Sequence, residues 1–419
     1  MDGKLISSEA MNKPLEAPAG KVRARSQQGP PPVVLQIVPR LSLGGVERGT
    51  VDIAAALREA GARSLVVSAG GEMVRELERA GVEHITLPTD SKNPLIMAAN
   101  ARRIARIVKD NEVEILHARS RAPAWSAWRA SRSTKRPLVT TFHGTYGLGN
   151  RAKQRYNSVM TRGTRVIAIS DFIAEHIVRI YKTDPGRITV IHRGVDTAVF
   201  DPKAVPPARL IQLSNRWRLP DGVPVVMLPG RLTRWKGQTV FIEALSKLQR
   251  SDLCAVIVGP DQGRTAYSQE LGEMVRERGL GGTVRLVDET RDMPAALMLA
   301  DIVVSASTDP EAFGRVIAEA GALGRPVIAS DHGGAREQVV EGETGWLVPP
   351  GDAGALAVAI ERALSASKTA RATMAKRAMK RVRENFSKTA MCEKTLALYR
   401  EVATEATAGS NSAAAARGE

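Results

Sequence analysis

Short runs of apolar residues alternate along the chain with longer segments in which apolar residues recur every three or four positions. The short runs predict buried strands, and the longer segments predict helices that pack one face against those strands. Strands alternating with helices are typical of parallel sheets that carry helices on both faces. The strand-like runs of the first half are VVLQIV (33–38), SLVV (64–67), HITL (84–87), EILHA (114–118), LVTTF (138–142), RVIAI (165–169) and ITVIH (188–192).

The same alternation continues through the second half of the chain. Its strand-like runs are PVVMLP (224–229), LCAVIVG (253–259), VRLV (284–287), DIVVS (301–305) and PVIAS (326–330). Two such series predict an α/β protein with two Rossmann-like domains, each a doubly wound parallel sheet. The segment 201–222 contains four prolines and is the predicted junction, so we expect one domain over 32–205 and the other over 206–375.

Both ends of the chain depart from this alternation. Residues 1–31 and 403–419 are polar or low in complexity, and we expect both to be disordered tails. Residues 370–402 have a helical pattern with a break at Phe386, after which Ser387 is the expected N-cap. Because no strand follows, we expect helices over 376–402 to pack back on the first domain.

Composition narrows the class of protein. The chain has 419 residues, of which 43% are hydrophobic, and this excludes a polar disordered chain. Its two cysteines, Cys254 and Cys392, exclude a disulfide framework and a four-cysteine zinc site. No uncharged apolar run reaches the roughly 18 residues of a membrane-spanning helix, and the N-terminus lacks an apolar signal core. We therefore expect a cytoplasmic protein, either soluble or bound to a membrane surface.

Candidate ligand-binding residues follow the first strand of each predicted domain. Gly44 and Gly45 lie between a strand and a helix, where they would let an anion approach the helix N-terminus; a tight turn would need them equally. Arg231, Arg234 and Lys236 follow the strand at the edge where open α/β sheets bind ligands. Clustered cations suit a diphosphate, although basic residues are also common in solvated loops.

The segment EAFGRVIAE (311–319) carries the most specific pattern. On a helix, the spacing of Glu311 and Glu319 corresponds to about 12 Å, which is too long for the carboxylate pair of a retaining glycosidase. It suits the two ends of one elongated ligand, with Gly314 allowing close approach and the N–H groups of Arg315 and Val316 holding a phosphate. Alternatively, Glu311 would stabilise a helix dipole and Glu319 would be a salt-bridged surface residue.

Together with GRLTRWKG (230–237) and GGVERG (44–49), this segment resembles the retaining glycosyltransferases of family 4. The resemblance covers about residues 33–402 and implies the GT-B fold, in which two Rossmann-like domains face a cleft and a terminal helix crosses back to the first domain. It implies transfer of a sugar from a nucleotide-diphosphate donor, with retention at the anomeric carbon. The implied acceptor is a lipopolysaccharide core or another cell-envelope glycan or glycolipid.

The resemblance also implies roles for individual residues. Arg231 and Lys236 match the pair that binds the donor diphosphate. Gly44 and Gly45 match the loop that closes over the donor phosphate and the acceptor. Glu311 matches the acid near the sugar hydroxyls. The residues implied to take part in catalysis are His143, Glu311, Arg231 and Lys236.

Further residues of the implied donor site lie in both predicted domains. Glu319 matches the acid that accepts from the ribose hydroxyls, and His143 matches the histidine at the cleft edge near the donor sugar. The turn that faces sugar and phosphate with its backbone comprises Phe313, Gly314, Arg315 and Val316. The chain departs from the family at Ala312, where Gly or Ser is frequent, and at His192-Arg193, where Pro-Asn is frequent.

A metal cofactor is not expected. No two aspartates are spaced as D-x-D, the usual metal–diphosphate motif. Arg231, Lys236 and the helix amides would instead stabilise the leaving diphosphate electrostatically. The nucleotide sugar is then a co-substrate, and the sequence predicts no cofactor.

A basic stretch in the first domain bears on the acceptor. Residues 115–170 hold eleven arginines and lysines and no acid, in a chain of net charge +16. Aromatic residues are interleaved with them: Trp125, Trp128, Tyr146 and Tyr156. No nucleic-acid-binding module is recognisable, so we expect no nucleic acid but an anionic membrane surface on the inner face of the plasma membrane. Charge that serves only solubility is the alternative.

Two other functions remain open at this point. A GT-B nucleotide-sugar epimerase would turn over soluble donor alone, whereas a transferase would be nearly silent without acceptor. A catalytically silent scaffold at the membrane would bind nucleotide sugar without transfer. The presence of Glu311, Glu319, Arg231 and Lys236 argues against the scaffold.

Overall fold

Two parallel sheets organise the chain, of which the computed structural model describes residues 31–42, 44–147, 149–288 and 290–415. The strands of the first sheet are β1 (Val34–Ile37), β2 (Ser64–Ser68), β3 (Glu83–Thr86), β4 (Ile115–Ala118), β5 (Leu138–Phe142), β6 (Arg165–Ala168) and β7 (Ile188–Val190). They lie in the order β3-β2-β1-β4-β5-β6-β7, with all neighbours parallel. This is the Rossmann order predicted for the first half of the chain.

The second sheet has six strands. They are β8 (Val225–Pro229), β9 (Cys254–Val258), β10 (Val284–Val287), β11 (Ile302–Ser305), β12 (Val327–Ser330) and β13 (Gly345–Val348). Their order is β10-β9-β8-β11-β12-β13, again parallel throughout. The sequence pattern did not predict β13, because its four residues begin with a glycine and follow a turn.

The central strands of each sheet occupy their places because their side chains are buried on both faces. All residues of β1, β4, β5, β8 and β9 are buried, as expected for strands read from continuous apolar runs. In register, Ile37 at the end of β1 lies opposite Ala118 at the end of β4. The carboxyl ends of the central strands therefore meet at one edge of the sheet, where the loops that follow them converge.

Helices cover both sheets. Those connecting the strands of the first sheet are α1 (Gly45–Glu59), α2 (Val74–Arg79), α3 (Pro94–Asp110), α4 (Arg121–Thr134), α5 (Arg151–Asn157) and α6 (Asp171–Tyr181). Those before and between the strands of the second, or after its last strand, are α7 (Pro207–Trp217), α8 (Gln238–Leu248), α9 (Thr265–Glu277), α10 (Met293–Leu299), α11 (Arg315–Ala322), α12 (Ala335–Gln338) and α13 (Ala353–Leu364). The terminal helices are α14 (Lys368–Asn385) and α15 (Lys388–Ala415).

Helix α7 lies within the proline-rich segment predicted as a junction. Pro207 occupies its first turn, where proline costs the helix no hydrogen bond because that N–H has no intrahelical partner. Leu213 and Trp217 are buried in the core of the second sheet. The prolines therefore mark the start of a packed helix as well as the passage between the sheets.

The terminal helices cross from the second sheet back to the first, as the fold class predicts. Helix α14 packs against α11. Ser387 is then the N-cap of α15, since its Oγ accepts from the N–H of Ala390 at 3.1 Å. Helix α15 packs against α1, with Tyr399 fully buried.

The tails differ from expectation where they are described. Residues 403–415, predicted to be disordered, continue α15, and this corrects the prediction for most of that segment. Its alanines are the strongest helix formers, and the helix is already nucleated by packing upstream. The predicted N-terminal tail lies outside the described residues except for Pro31, as do residues 416–419. Over the described chain, no helix is long and apolar enough to cross a membrane.

Candidate active site

The loop between β1 and α1 brings two glycines to the carboxyl edge of the first sheet. Gly44 is the N-cap of α1 and provides no side-chain cap for the first amides of the helix. A Cβ at Gly45 would lie 2.5 Å from Nη1 of Arg193, so glycine leaves room there for the guanidinium. The amides and the positive end of the α1 dipole favour an anion at this point.

The loop after β8 brings Lys236 to Glu311. Gly237 has φ +73°, and a Cβ there would lie 1.9 Å from the carbonyl oxygen of Ala306, so only glycine allows this close passage. Nζ of Lys236 lies 2.7 Å from Oε1 of Glu311, and Oγ of Ser307 donates to the same oxygen at 2.6 Å. Both charged side chains are only 15% exposed, which strengthens their pairing.

The other two cations of this loop have different surroundings. Both terminal nitrogens of Arg234 donate to Glu270, at 2.7 and 2.6 Å, on the exposed outer side. The exposed guanidinium of Arg231 has no hydrogen-bond or ion-pair partner among the residues that the structure describes. Of these two arginines, Arg231 is therefore the one left available to an anionic ligand.

The turn before α11 is fixed from one side. Gly314 is the N-cap of α11 with φ +84°, a left-handed conformation that favours glycine. Nε2 of Gln338 donates to the carbonyls of Phe313 and Gly314, so these oxygens are occupied. The first amides of α11, those of Arg315 and Val316, have no intrahelical partner and begin a helix whose dipole favours an anion.

Glu319 is buried within α11. Its side chain accepts from Nη2 of Arg315 at 2.8 Å, and the residue is 6% exposed. Burial raises the pKa of the Glu319 carboxyl, and Arg315 counteracts part of that rise. The ion pair fits the alternative of a salt-bridged residue, but the burial does not fit a surface position.

His143 follows β5 and contacts Arg193. Nη2 of Arg193 lies 2.9 Å from Nδ1 of His143, while Nε2 of His143 is buried without a partner among the described residues. Burial, followed by the charges of Arg193 and Arg119, lowers the pKa of His143 well below its usual value. The ring is therefore neutral at pH 7.

The structure brings nearly all predicted site residues together in one cleft of about 670 Å³. Its lining includes Gly44, Gly45, His143, Arg231, Lys236, Glu311, Phe313, Gly314, Arg315 and Val316. Glu319 is the exception, since Arg315 engages its carboxylate below the surface. The cleft suits a diphosphate because it contains the N-termini of α1 and α11 and three cationic side chains, those of Arg231, Lys236 and Arg315.

One other cluster contains groups of the kind that bind metals. Within the described residues, ligand atoms of Asp171, His192 and Glu337 lie within 4.8 Å of one another. The oxygens of Glu337 are engaged, because they accept from the N–H groups of Asp171 and Phe172, each at 2.9 Å, and contact Nε2 of His192 at 2.7 Å. These bonds make the cluster a polar contact between α12 and α6.

Comparison with known proteins decides the family. The model of glycosyl transferases group 1 matches residues 211–381, and that of Glycosyltransferase Family 4 matches residues 43–199. A glycosyltransferase from Rickettsia africae of known crystal structure is 38% identical, covers 89% of this chain and 98% of its own, and superimposes with a TM-score of 0.83. The chain belongs to the family 4 glycosyltransferases. Its fold is GT-B, as the resemblance implied.

Two more distant relatives carry ligand information in their names. The Anabaena protein Alr3699/HepE, solved in complex with UDP, is 26% identical, with 86% of this chain and 98% of its own covered and a TM-score of 0.76. The D-inositol 3-phosphate glycosyltransferase of Jonesia denitrificans is 30% identical over 256 residues. That match spans 56% of this chain and 60% of the relative.

Sequence reasoning missed the contacts that join the two halves of this glycosyltransferase. Oγ of Ser170, at the start of α6, donates to the carbonyl of Ala312 at 2.6 Å. Glu337 on α12 binds the first amides of α6 and His192. The only sequence signal of these contacts was the presence of His192 and Arg193 where the family often has Pro-Asn. That signal did not show which residues they contact.

Proposed function

We propose that this glycosyltransferase transfers a sugar from a nucleotide-diphosphate donor to a cell-envelope glycan or glycolipid, with retention at the anomeric carbon. The observation that carries the proposal is the cleft in which unpaired Arg231, the Lys236–Glu311 pair and two helix N-termini converge. Such a site favours two linked phosphates over a single charge. Complexes of the Anabaena relative with UDP and with UDP-glucose support a uridine donor.

In the proposed reaction, the bond between the anomeric carbon and the diphosphate oxygen breaks on the face where the acceptor oxygen forms its bond. The acceptor hydroxyl gives its proton to the leaving diphosphate. Arg231, Lys236 and the amides of α1 and α11 stabilise the charge that develops on that diphosphate. Glu311, held by Lys236 and Ser307, is placed to accept hydrogen bonds from sugar hydroxyls. We propose that the reaction needs no metal.

A phosphorylated or lipid-linked acceptor fits the surface of the first domain. Helices α3 and α4 form a basic groove of about 600 Å³, lined by Arg102, Arg106, Lys109 and Arg129. None of these four has an ion-pair partner among the described residues, whereas several exposed arginines elsewhere pair with acids. Leu95, at the start of α3, is 80% exposed. We propose that this face docks on anionic lipid at the cytoplasmic side of the membrane.

Part of the basic stretch 115–170 serves the fold instead. Arg162 stacks over the rings of Trp125 and Trp128, at 5.2 and 4.5 Å from their centroids. Arg121 stacks over Tyr146 at 4.5 Å. Three of the four aromatic residues that the sequence showed interleaved with cations thus have an arginine of the same domain as a stacking partner.

The transferase proposal is tested with UDP-, GDP- and ADP-sugars, each with and without membrane lipid extract as acceptor. We expect one donor to be consumed only when acceptor is present, and the product to keep the donor's anomeric configuration by NMR. Consumption and isomerisation of donor alone would favour the epimerase. A product of inverted configuration would overturn the proposed mechanism.

The membrane proposal is tested by sedimentation with phosphatidylglycerol vesicles and with phosphatidylcholine vesicles. We expect binding to the anionic vesicles only, and at least a tenfold loss in an Arg102→Gln, Arg106→Gln double variant, at roughly 1 kcal/mol per basic residue. The matched control is Arg276→Gln, Arg278→Gln at the C-terminal end of α9. Equal loss in both pairs would show a general charge effect and reject this face.

A further inference from the structure

Arg193 stands where relatives of the family often have asparagine, and its backbone is firmly held. The N–H of Val195 donates to the carbonyl of Phe386, and the N–H of Lys388 donates to that of Val195, both at 2.8 Å. A Cβ at Gly194 would lie 2.5 Å from Cα of Lys388. The crossing point between α14 and α15 therefore fixes the loop that carries Arg193.

The side chain of Arg193 reaches from this loop to His143 at the cleft. Its Nη2 lies 2.9 Å from Nδ1 of His143. Its Nη1 lies beside Gly45, because a Cβ added to that glycine would be only 2.5 Å from it. A guanidinium has donors and no acceptor, so Nδ1 of His143 must be the accepting nitrogen. In the neutral ring the proton then resides on Nε2, the buried nitrogen without a partner among the described residues.

The charges around His143 favour this neutral ring. Besides burial, the groups that lower the pKa of His143 are Arg193, Arg119 and His117, and no carboxylate among the described residues opposes them. Tyr146 also contacts His143, but it forms a hydrogen bond with the backbone of His143 and not with the ring. Burial, then Arg119 and Arg315, lower the pKa of Arg193 to about 9, so this guanidinium stays charged at pH 7.

We propose that Arg193 is a positioning residue that holds His143 with its proton on Nε2, so that His143 donates a hydrogen bond to an oxygen of the bound donor. A nitrogen that carries a proton has no lone pair to accept another, and the lone pair of Nδ1 is engaged by Arg193. His143 therefore does not act as the general base. This role rests on the proposed donor site, since the cleft that His143 lines is the one assigned to the nucleotide sugar.

The tautomer is measured by long-range ¹H–¹⁵N NMR of protein labelled at histidine, with the His143 signals assigned from a His143→Gln variant. Wild type is expected to show a protonated Nε2 and an unprotonated Nδ1 from pH 6 to 8. In Arg193→Met both tautomers should be populated, and the pKa of His143 should rise because a neighbouring positive charge is lost. Arg193→Lys, which keeps a donor and a charge, should largely restore the wild-type pattern.

A protonated Nδ1 or an imidazolium in wild type at pH 7 would overturn the proposal, whatever reaction the enzyme performs. The same holds if Arg193→Met leaves both the tautomer and the pKa unchanged. If that variant does not fold, Arg193→Gln is measured in its place.

A second readout separates hydrogen-bond donation from base catalysis. The side-chain amide of glutamine can replace the Nε2 donor but cannot act as a base, so His143→Gln should retain at least tenfold more kcat/KM than His143→Ala. Equal loss in both variants would contradict the donor role. If wild type shows the expected tautomer but no transferase activity, the proposed function is wrong. The role of Arg193 is then decided by the NMR result alone.

Discussion

At the scale of residues, burial decides what the two acids of the EAFGRVIAE segment can do. Glu311 is held between Lys236 and Ser307 at the surface of the cleft. Glu319 is buried against Arg315, and burial raises the pKa of its carboxyl. A buried carboxylate costs stability, so its presence here fits a binding role for Glu319 better than a structural one.

We expect Glu319→Gln to gain stability relative to wild type as pH rises, while losing nucleotide affinity. A carboxyl whose pKa is raised on folding contributes most stability below its unfolded pKa and loses that contribution as pH increases through its folded pKa. Replacing it should therefore leave the variant equal or more stable by about 1 kcal/mol at pH 8. Urea unfolding at pH 5 and pH 8 measures this, and a variant that loses stability relative to wild type as pH rises would contradict it.

Residue patterns predicted most of the site because short motifs follow strand ends, and strand ends of parallel sheets meet at one edge. The residues that patterns missed are those whose partners lie far away in sequence. Arg193 reaches His143 across 50 positions, and Glu337 reaches α6 across 165 or more. No local spacing encodes such a pairing, so only the fold reveals it.

At the scale of elements, hydrophobic runs identified the fully buried strands and also the partly exposed β3, β7 and β10, but they failed for elements with weaker signals. Strand β13 is four residues long and starts with Gly345. Helix α7 begins at Pro207 directly after Pro206, a pair that resembles a linker, and the end of α15 is low in complexity. In each case packing against neighbours, rather than local preference, determines the structure.

The packing of α15 on the first sheet is tested through its most buried side chain. The hydroxyl of Tyr399 lies 2.5 Å from Nδ1 of His117, whose Nε2 lies 2.7 Å from Oγ1 of Thr141. Tyr399→Phe removes the partner of a buried nitrogen, which should cost about 1–3 kcal/mol and lower the melting temperature by several degrees. Differential scanning calorimetry measures the shift. Thr404→Val, on the exposed side of α15, is the control, and an equal shift in both would contradict the assignment.

At the scale of the whole molecule, the turn before α11 is bound by residues of both domains. Gln338 holds the turn from within the second domain, and its neighbour Glu337 holds α6 of the first. Ser170 of the first domain binds the carbonyl of Ala312 at the same turn. We therefore expect donor binding and the contact between domains to be coupled through these adjacent residues.

We expect Glu337→Ala to loosen this contact, because it removes the acceptor for two α6 amides and the partner of His192. The loss should be about 2 kcal/mol in the free energy of unfolding. Hydrogen exchange should accelerate at the start of α6 and at residues 311–316. Glu343→Ala, which removes an exposed acid from the loop between α12 and β13, should change neither region. Protection that is unaltered in the Glu337 variant would contradict the coupling.

Binding of a nucleoside diphosphate in the cleft through Arg231 can be tested directly, because one loop carries two arginines with different surroundings. Titration calorimetry with UDP, GDP and ADP compares wild type with Arg231→Gln and with Arg234→Gln, whose guanidinium is engaged by Glu270. One nucleotide should bind, and Arg231→Gln should weaken it at least tenfold, as expected for a charged hydrogen bond of about 1.5–3 kcal/mol. Arg234→Gln should stay within about twofold. If no nucleotide binds, or if the two variants lose affinity equally, the cleft does not bind a nucleoside diphosphate through Arg231.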